Sequence, residues 1–122
     1  MPPDAVLDLE ILREMGVVSG VQAGGEIEGI INLFLREERP RLAQLSRLLE
    51  ERNGAEFSRA AHNLAGSCAI LGARQAHRLA IGLELAANQG AWSEMDAGLA
   101  SLREAWVRLE AALADFRAGG HV

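Results

Sequence analysis

Apolar residues recur at helical spacing along this whole chain, and that period commits it to amphipathic helices rather than sheet. Ala and Leu dominate the apolar fraction and β-branched residues are few, which favours the same outcome. A short first helix is expected from about 5 to 15, capped by Asp4 and carrying Val6, Leu9, Ile11 and Leu12. The Gly-rich stretch Gly16 to Gly25 reads as a loop. A long helix follows from about Glu26 to Glu51, with Ile27, Ile30, Ile31, Phe34 and Leu35 continued by Leu42, Leu45, Leu48 and Leu49. Pro40 lies inside it, where a proline costs about 3 kcal/mol. The stripe resumes in near register, so a kink is favoured over a break, the alternative being two helices meeting near residue 38.

Asn53 and Glu56 form a capping box that opens a helix over about 54–71, with Phe57, Ala60, Ala61, Leu64, Cys68 and Leu71 inward and Gly72 ending it. The next helix covers about 73–89, with Ala76, Leu79, Ala80, Leu83 and Ala87 inward. A second capping box, Ser93 to Asp96, opens a last helix to about Ala118 with Leu99, Leu102, Trp106, Leu109, Leu113 and Phe116 inward. Residues Gly119 to Val122 read as a frayed tail. The expected fold is all-α: an antiparallel four-helix bundle with a short additional N-terminal helix, as one domain over 1–122.

Composition narrows the function. The chain has 122 residues, a net charge of −5 and no lysine, so no basic cluster suits nucleic acid or an anionic membrane. Cys68 stands alone, which rules out an internal disulfide and fits a reducing compartment. No signal peptide or membrane span is visible, so a cytoplasmic protein is expected.

His62 carries the chemistry. At about 100° per residue it lies away from the apolar face, beside Ala65, Gly66 and Ala69. A solvated face usually carries long charged side chains, and Gly66 inside a helix costs roughly 1 kcal/mol relative to Ala. Small neighbours leave the imidazole bare to another protein's surface. A neutral imidazole is a nucleophile near pH 7 and can accept and release a phosphoryl group. Catalysis by Ser67, Cys68 and His62 together fails on geometry, because Ser67 projects from another side and Cys68 points inward. His62, His77 and His121 match no common metal-site spacing, and no metal site is expected.

The run Ala61-His62-Asn63-Leu64-Ala65-Gly66-Ser67-Cys68-Ala69-Ile70-Leu71-Gly72-Ala73 resembles the signature of histidine-containing phosphotransfer (HPt) domains. Leu83-Glu84 and Phe34 with Glu37-Glu38-Arg39-Pro40-Arg41-Leu42 add to the likeness, which spans nearly the whole chain. The resemblance implies a phosphorelay intermediate: His62 accepts a phosphoryl group from a receiver-domain aspartate and passes it to another. The implied partners are a response-regulator receiver and a hybrid sensor histidine kinase. No cofactor is expected on this chain, and Mg²⁺ is expected on the receiver. The chain has no nucleotide-binding domain, and Asn63 follows His62 where kinase dimerisation domains carry an acid, so no autokinase activity is expected.

In the family a Lys commonly stands three residues after the His and helps hold the phosphoryl oxygens; here that position is Ala65. Arg59, one turn before His62, is a possible substitute, and Arg78 a weaker one. If the helices fold back around Gly72-Ala73, His62 sits level with 82–84. The resemblance gives Glu84 an imidazole hydrogen bond. Ala69, Ile70, Arg74 and Arg78 are expected on a largely apolar docking patch with arginines at its rim. A monomer is expected. The competing reading is a non-catalytic docking module that binds a receiver without transfer.

Overall fold

The computed structural model describes residues 5–12, 14 and 24–117, of which 24–26 by backbone alone. A short helix α1 includes 9–12. Four long helices follow: α2 (Gly24–Glu50), α3 (Gly54–Leu71), α4 (Arg74–Asn88) and α5 (Trp92–Arg117). Each long helix packs on its chain neighbours and α2 closes on α5, so the four form a ring in which α2 faces α4, and α3 faces α5, across the diagonals. Among the described residues there is no strand. The all-α bundle with a short N-terminal helix is therefore the observed architecture.

The core is the sum of the four inward stripes. Ile31 and Leu45 of α2, Phe57, Leu64 and Leu71 of α3, Leu83 of α4, and Met95, Leu102, Leu109 and Leu113 of α5 are all fully buried. Phe34 stacks on Trp106 with ring centroids 5.4 Å apart, which joins α2 to α5. On α4 the buried set is Ala76, Ala80, Leu83 and Ala86, while Leu79 and Ala87 are only partly covered.

Pro40 does not break α2, which runs through it unbroken. The proline is on the solvent side, so the carbonyl it leaves unpaired is open to water. The arginines on either side are both tied down. Arg39 makes two bonds to Glu110 of α5, at 2.7 and 2.9 Å, and Arg41 Nε donates to buried Glu38 at 2.7 Å. Trp106 Nε1 donates to the same Glu110 at 2.7 Å. A tertiary contact to Glu110 and a local pair with Glu38 thus hold the helix across its weakest point.

The N-terminal segment departs from expectation. Residues 5–8 are not helical and the helical residues begin at 9. Asp8 is the cap, its Oδ1 accepting from the Glu10 N–H at 3.0 Å; Asp4 lies outside the described residues. Both aspartates precede apolar residues, and only tertiary contacts separate them. Asp8 is buried against the α3–α4 turn, where Arg74 Nε donates to its Oδ2 at 2.8 Å. Its N–H donates to the Gly72 carbonyl at 2.7 Å, and the Gln75 N–H donates to the Ala5 carbonyl at 2.9 Å. Gly72 caps α3 with φ +88°, and a Cβ there would meet the Asp8 carbonyl oxygen at 3.0 Å.

Two further boundaries differ. Gly24 and Gly25 are already helical, while residues 16–23 of the expected loop and the tail 119–122 lie outside the described residues. The Asn53 box is half formed: Asn53 Oδ1 accepts from the Glu56 N–H at 3.2 Å, but the Glu56 carboxylate turns to Arg59 and the Asn53 N–H to the Leu48 carbonyl. Helix α5 starts at Trp92, so Ser93 stands inside its first turn rather than capping it.

These ion pairs set an acid limit. The Arg74 hydrogen bond holds the Asp8 carboxyl below its ordinary 3.8, and Arg39 holds Glu110 below 4.5. A depressed carboxylate stabilises the fold above its unfolded value and loses that contribution as pH falls through the folded one. The thermal midpoint is therefore expected to drop below about pH 4. Asp8→Asn should start lower at neutral pH and lose less on acidification, as a melting series against pH would show.

Candidate functional site

The α3–α4 hairpin builds the site. Gly72 reverses the chain, and residues equidistant from the turn meet across the seam. His62 Nδ1 lies 3.1 Å from Glu84 Oε2 and 3.2 Å from Oε1. Four residues further from the turn on each helix, Ser58 Oγ donates to Asn88 Oδ1 at 2.7 Å. These two polar links hold the seam in one register beside the imidazole. The Ser58–Asn88 link was not foreseen; the symmetry about Ala73 that pairs His62 with Glu84 would also have found it.

The His62 side chain is 70 % exposed, whereas that of Glu84 is 24 % exposed. An ionised carboxylate only accepts hydrogen bonds, so the contact puts the ring proton on Nδ1. The lone pair of the neutral ring is then on Nε2. The more buried partner anchors the ring, and the nucleophilic atom is the unanchored one.

The surroundings of His62 are only partly as expected. Gly66, Ala69 and Ile70 are exposed, Ile70 to 70 %, and a Cβ built on Gly66 would meet nothing within 4 Å. Ala65, by contrast, is buried at 3 % exposure. A step of three residues turns it back toward α4, where its carbonyl accepts from His77 Nδ1 at 2.9 Å. The open face beside His62 is therefore Gly66 and Ala69, without Ala65. Cys68 is buried, and burial, with the nearby Glu38 charge as a lesser cause, pushes its thiol up to about 12. It is inert at neutral pH.

The arginines also sort out. Arg59 is directed at Glu56, 3.1 Å away on its own helix, rather than at His62. Arg74 is committed to Asp8. Arg78 is exposed on α4. Neither Arg59 nor Arg74 is placed on His62.

A shallow apolar cleft of about 150 Å³ opens between α2 and α3, lined by Ile30, Leu33, Phe34, Ser67, Ile70 and Leu71 with Glu37 and Glu38. Leu33, 46 % exposed, is part of this surface and was missed in the sequence. The available signal was that it falls off the inward stripe of α2. Among the described residues no group of three or more His, Cys, Asp or Glu side chains could hold a metal ion. His121 lies outside the described residues. No described helix is long and apolar enough to cross a membrane.

The model of the Hpt domain family matches residues 29–119, which cover α3, α4, α5 and most of α2. The chain belongs to the Hpt family. No curated protein and no solved structure matches it. Membership gives this Hpt domain a role in phosphotransfer within two-component signalling, as a carrier rather than a conventional enzyme, in interaction with receiver and kinase partners.

Proposed function

We propose that this Hpt domain is a phosphorelay intermediate in which His62 Nε2 takes a phosphoryl group from a receiver aspartate and passes it to a second one. The observation that carries this is the exposed His62 ring anchored through Nδ1 by Glu84, with Nε2 left as the nucleophile. In-line transfer needs cations on the equatorial oxygens. The partner's Mg²⁺ is to supply that charge, since Ala65 stands where the family commonly has a lysine and Arg59 is turned to Glu56. Gly66, Ala69 and Ile70 with Leu33 form the docking face, and Arg78 stands at its rim. A hybrid sensor kinase and a response regulator are the partners under this reading, and the domain works as a monomer in the cytoplasm without autokinase activity.

The missing cation favours one rival, a docking module that binds a receiver without transfer. Mixing the protein with a phosphorylated receiver separates the two. Acid-labile phosphate on His62 supports the relay, whereas a complex without phosphohistidine supports the docking module.

Gly66 tests the docking face. Gly66→Ala is expected to raise stability by about 0.5–1 kcal/mol, because the new methyl meets nothing and the helix gains propensity. Denaturant midpoints would show this. Gly66→Phe should slow phosphoryl uptake from a receiver while leaving uptake from small phosphoramidate unchanged.

A further inference from the structure

The contact between Glu84 and His62 has a second consequence once the ring carries phosphate. Attack by Nε2 on an aspartyl phosphate forms the P–N bond and breaks the P–O bond, whose electron pair leaves with the aspartate carboxylate. The proton on Nδ1 stays where it was, so the phosphorylated ring is a cation. Onward transfer breaks the P–N bond and returns its pair to Nε2. With Nδ1 protonated the leaving group is neutral imidazole. If that proton has been lost to solvent, the leaving group is imidazolate, which leaves far more slowly.

Glu84 faces Nδ1 at 3.1 Å, and it is a carboxylate rather than an amide. An amide oxygen could orient the ring equally well, but only the negative charge favours the ring cation over the deprotonated ring. Cations on the neighbouring turns and helices are held by other groups. On α3, Arg59 is held by Glu56. On α4, His77 is bonded to the Ala65 carbonyl and Arg78 has an interaction of its own. On α2, which packs on α3 from the other side, Arg41 is held by Glu38 and Arg39 by Glu110. On the structure, Glu84 is the charge in contact with Nδ1.

We infer, resting on the reading of His62 as phosphoryl carrier, that Glu84 is a positioning residue that keeps phosphorylated His62 protonated at Nδ1 and so keeps its phosphoryl group in a readily transferable state. The domain is then built to hand phosphate on rather than to store it. This accords with Ala65 standing where a cation would steady the phosphoryl oxygens.

Glu84→Gln preserves an acceptor of the same shape and removes the charge, so it separates orientation from electrostatics. Full-length protein and variant, labelled with ¹⁵N in histidine, are treated with phosphoramidate, and Nδ1 is followed by NMR against pH. Because the pair is partly exposed, a modest effect is expected. The Nδ1 titration of the phosphorylated ring should move down by about 0.7 pH unit in Glu84→Gln, a fivefold change in proton affinity. Phosphate loss should slow by up to about fivefold on the alkaline side and match the native protein at acidic pH, where both rings are protonated. A purely structural role would alter the rate at every pH. Coincident Nδ1 titrations would overturn the inference while leaving His62 as carrier. If His62 takes phosphate from neither phosphoramidate nor a receiver, the carrier reading falls and this inference with it.

Discussion

His62→Gln is expected to take up no acid-labile phosphate from a phosphorylated receiver, with a thermal midpoint within about 2 °C of the native protein. The chemistry rests on one lone pair, and Gln offers no nucleophilic nitrogen in its place. The fold does not rest on His62, whose side chain is 70 % exposed and meets its described partner, Glu84, at the surface. Substitutions at such positions usually shift stability by less than about 0.5 kcal/mol. Uptake is read by acid-labile radioactivity on the chain, and folding by circular dichroism. If the variant is phosphorylated as fast as the native protein, His62 is not the acceptor.

The largest effect in the opposite direction is expected at Phe57. Phe57 lies in the first turn of α3, five residues before His62, with 0 % exposure. Phe57→Ala removes the largest fully buried side chain and should destabilise the domain by about 3–5 kcal/mol. A domain of this size commonly has about 5–15 kcal/mol to lose. The midpoint should therefore fall by roughly 10–20 °C. Phosphoryl uptake should survive at low temperature, where the variant is folded, and fail on warming together with the helical signal. A loss of uptake in a fully folded Phe57→Ala would mean that the α3 core shapes the site directly.

The periodic stripes carried most of the fold. Phe57, Leu64, Cys68 and Leu71 share a helix face by spacing alone, and the structure buries all four. Placing the reversal at Gly72–Ala73 was enough to bring Glu84 to the level of His62. What the pattern could not decide depended on lateral packing. Asp4 and Asp8 are equally good caps in a string of letters, and only the burial of Asp8 on the turn distinguishes them. Ala65 and Gly66 both looked like small residues on an open face. A rotation of one residue separates the buried one from the exposed one, and the position of α4 decides which is which. Pro40 left kink and break both open because the Glu110 carboxylate that holds Arg39, and so α2, in place comes from a distant part of the chain. Leu33 looked merely off-stripe until the cleft between α2 and α3 joined it to Ile70, which was already expected on the docking patch.

The clasp formed by residues 5–12 begins well before residue 29, where the family match begins. A fragment trimmed to the matched span would keep His62 and Glu84 and still lose the lock on the hairpin's closed end. The Gly72 carbonyl, the Gln75 N–H and the Arg74 guanidinium would each be left facing water where backbone or carboxylate now meets them. Such a fragment would carry an intact acceptor on a hairpin freer to slide. Boundaries drawn by family likeness alone would thus mistake a working part of this domain for a leader.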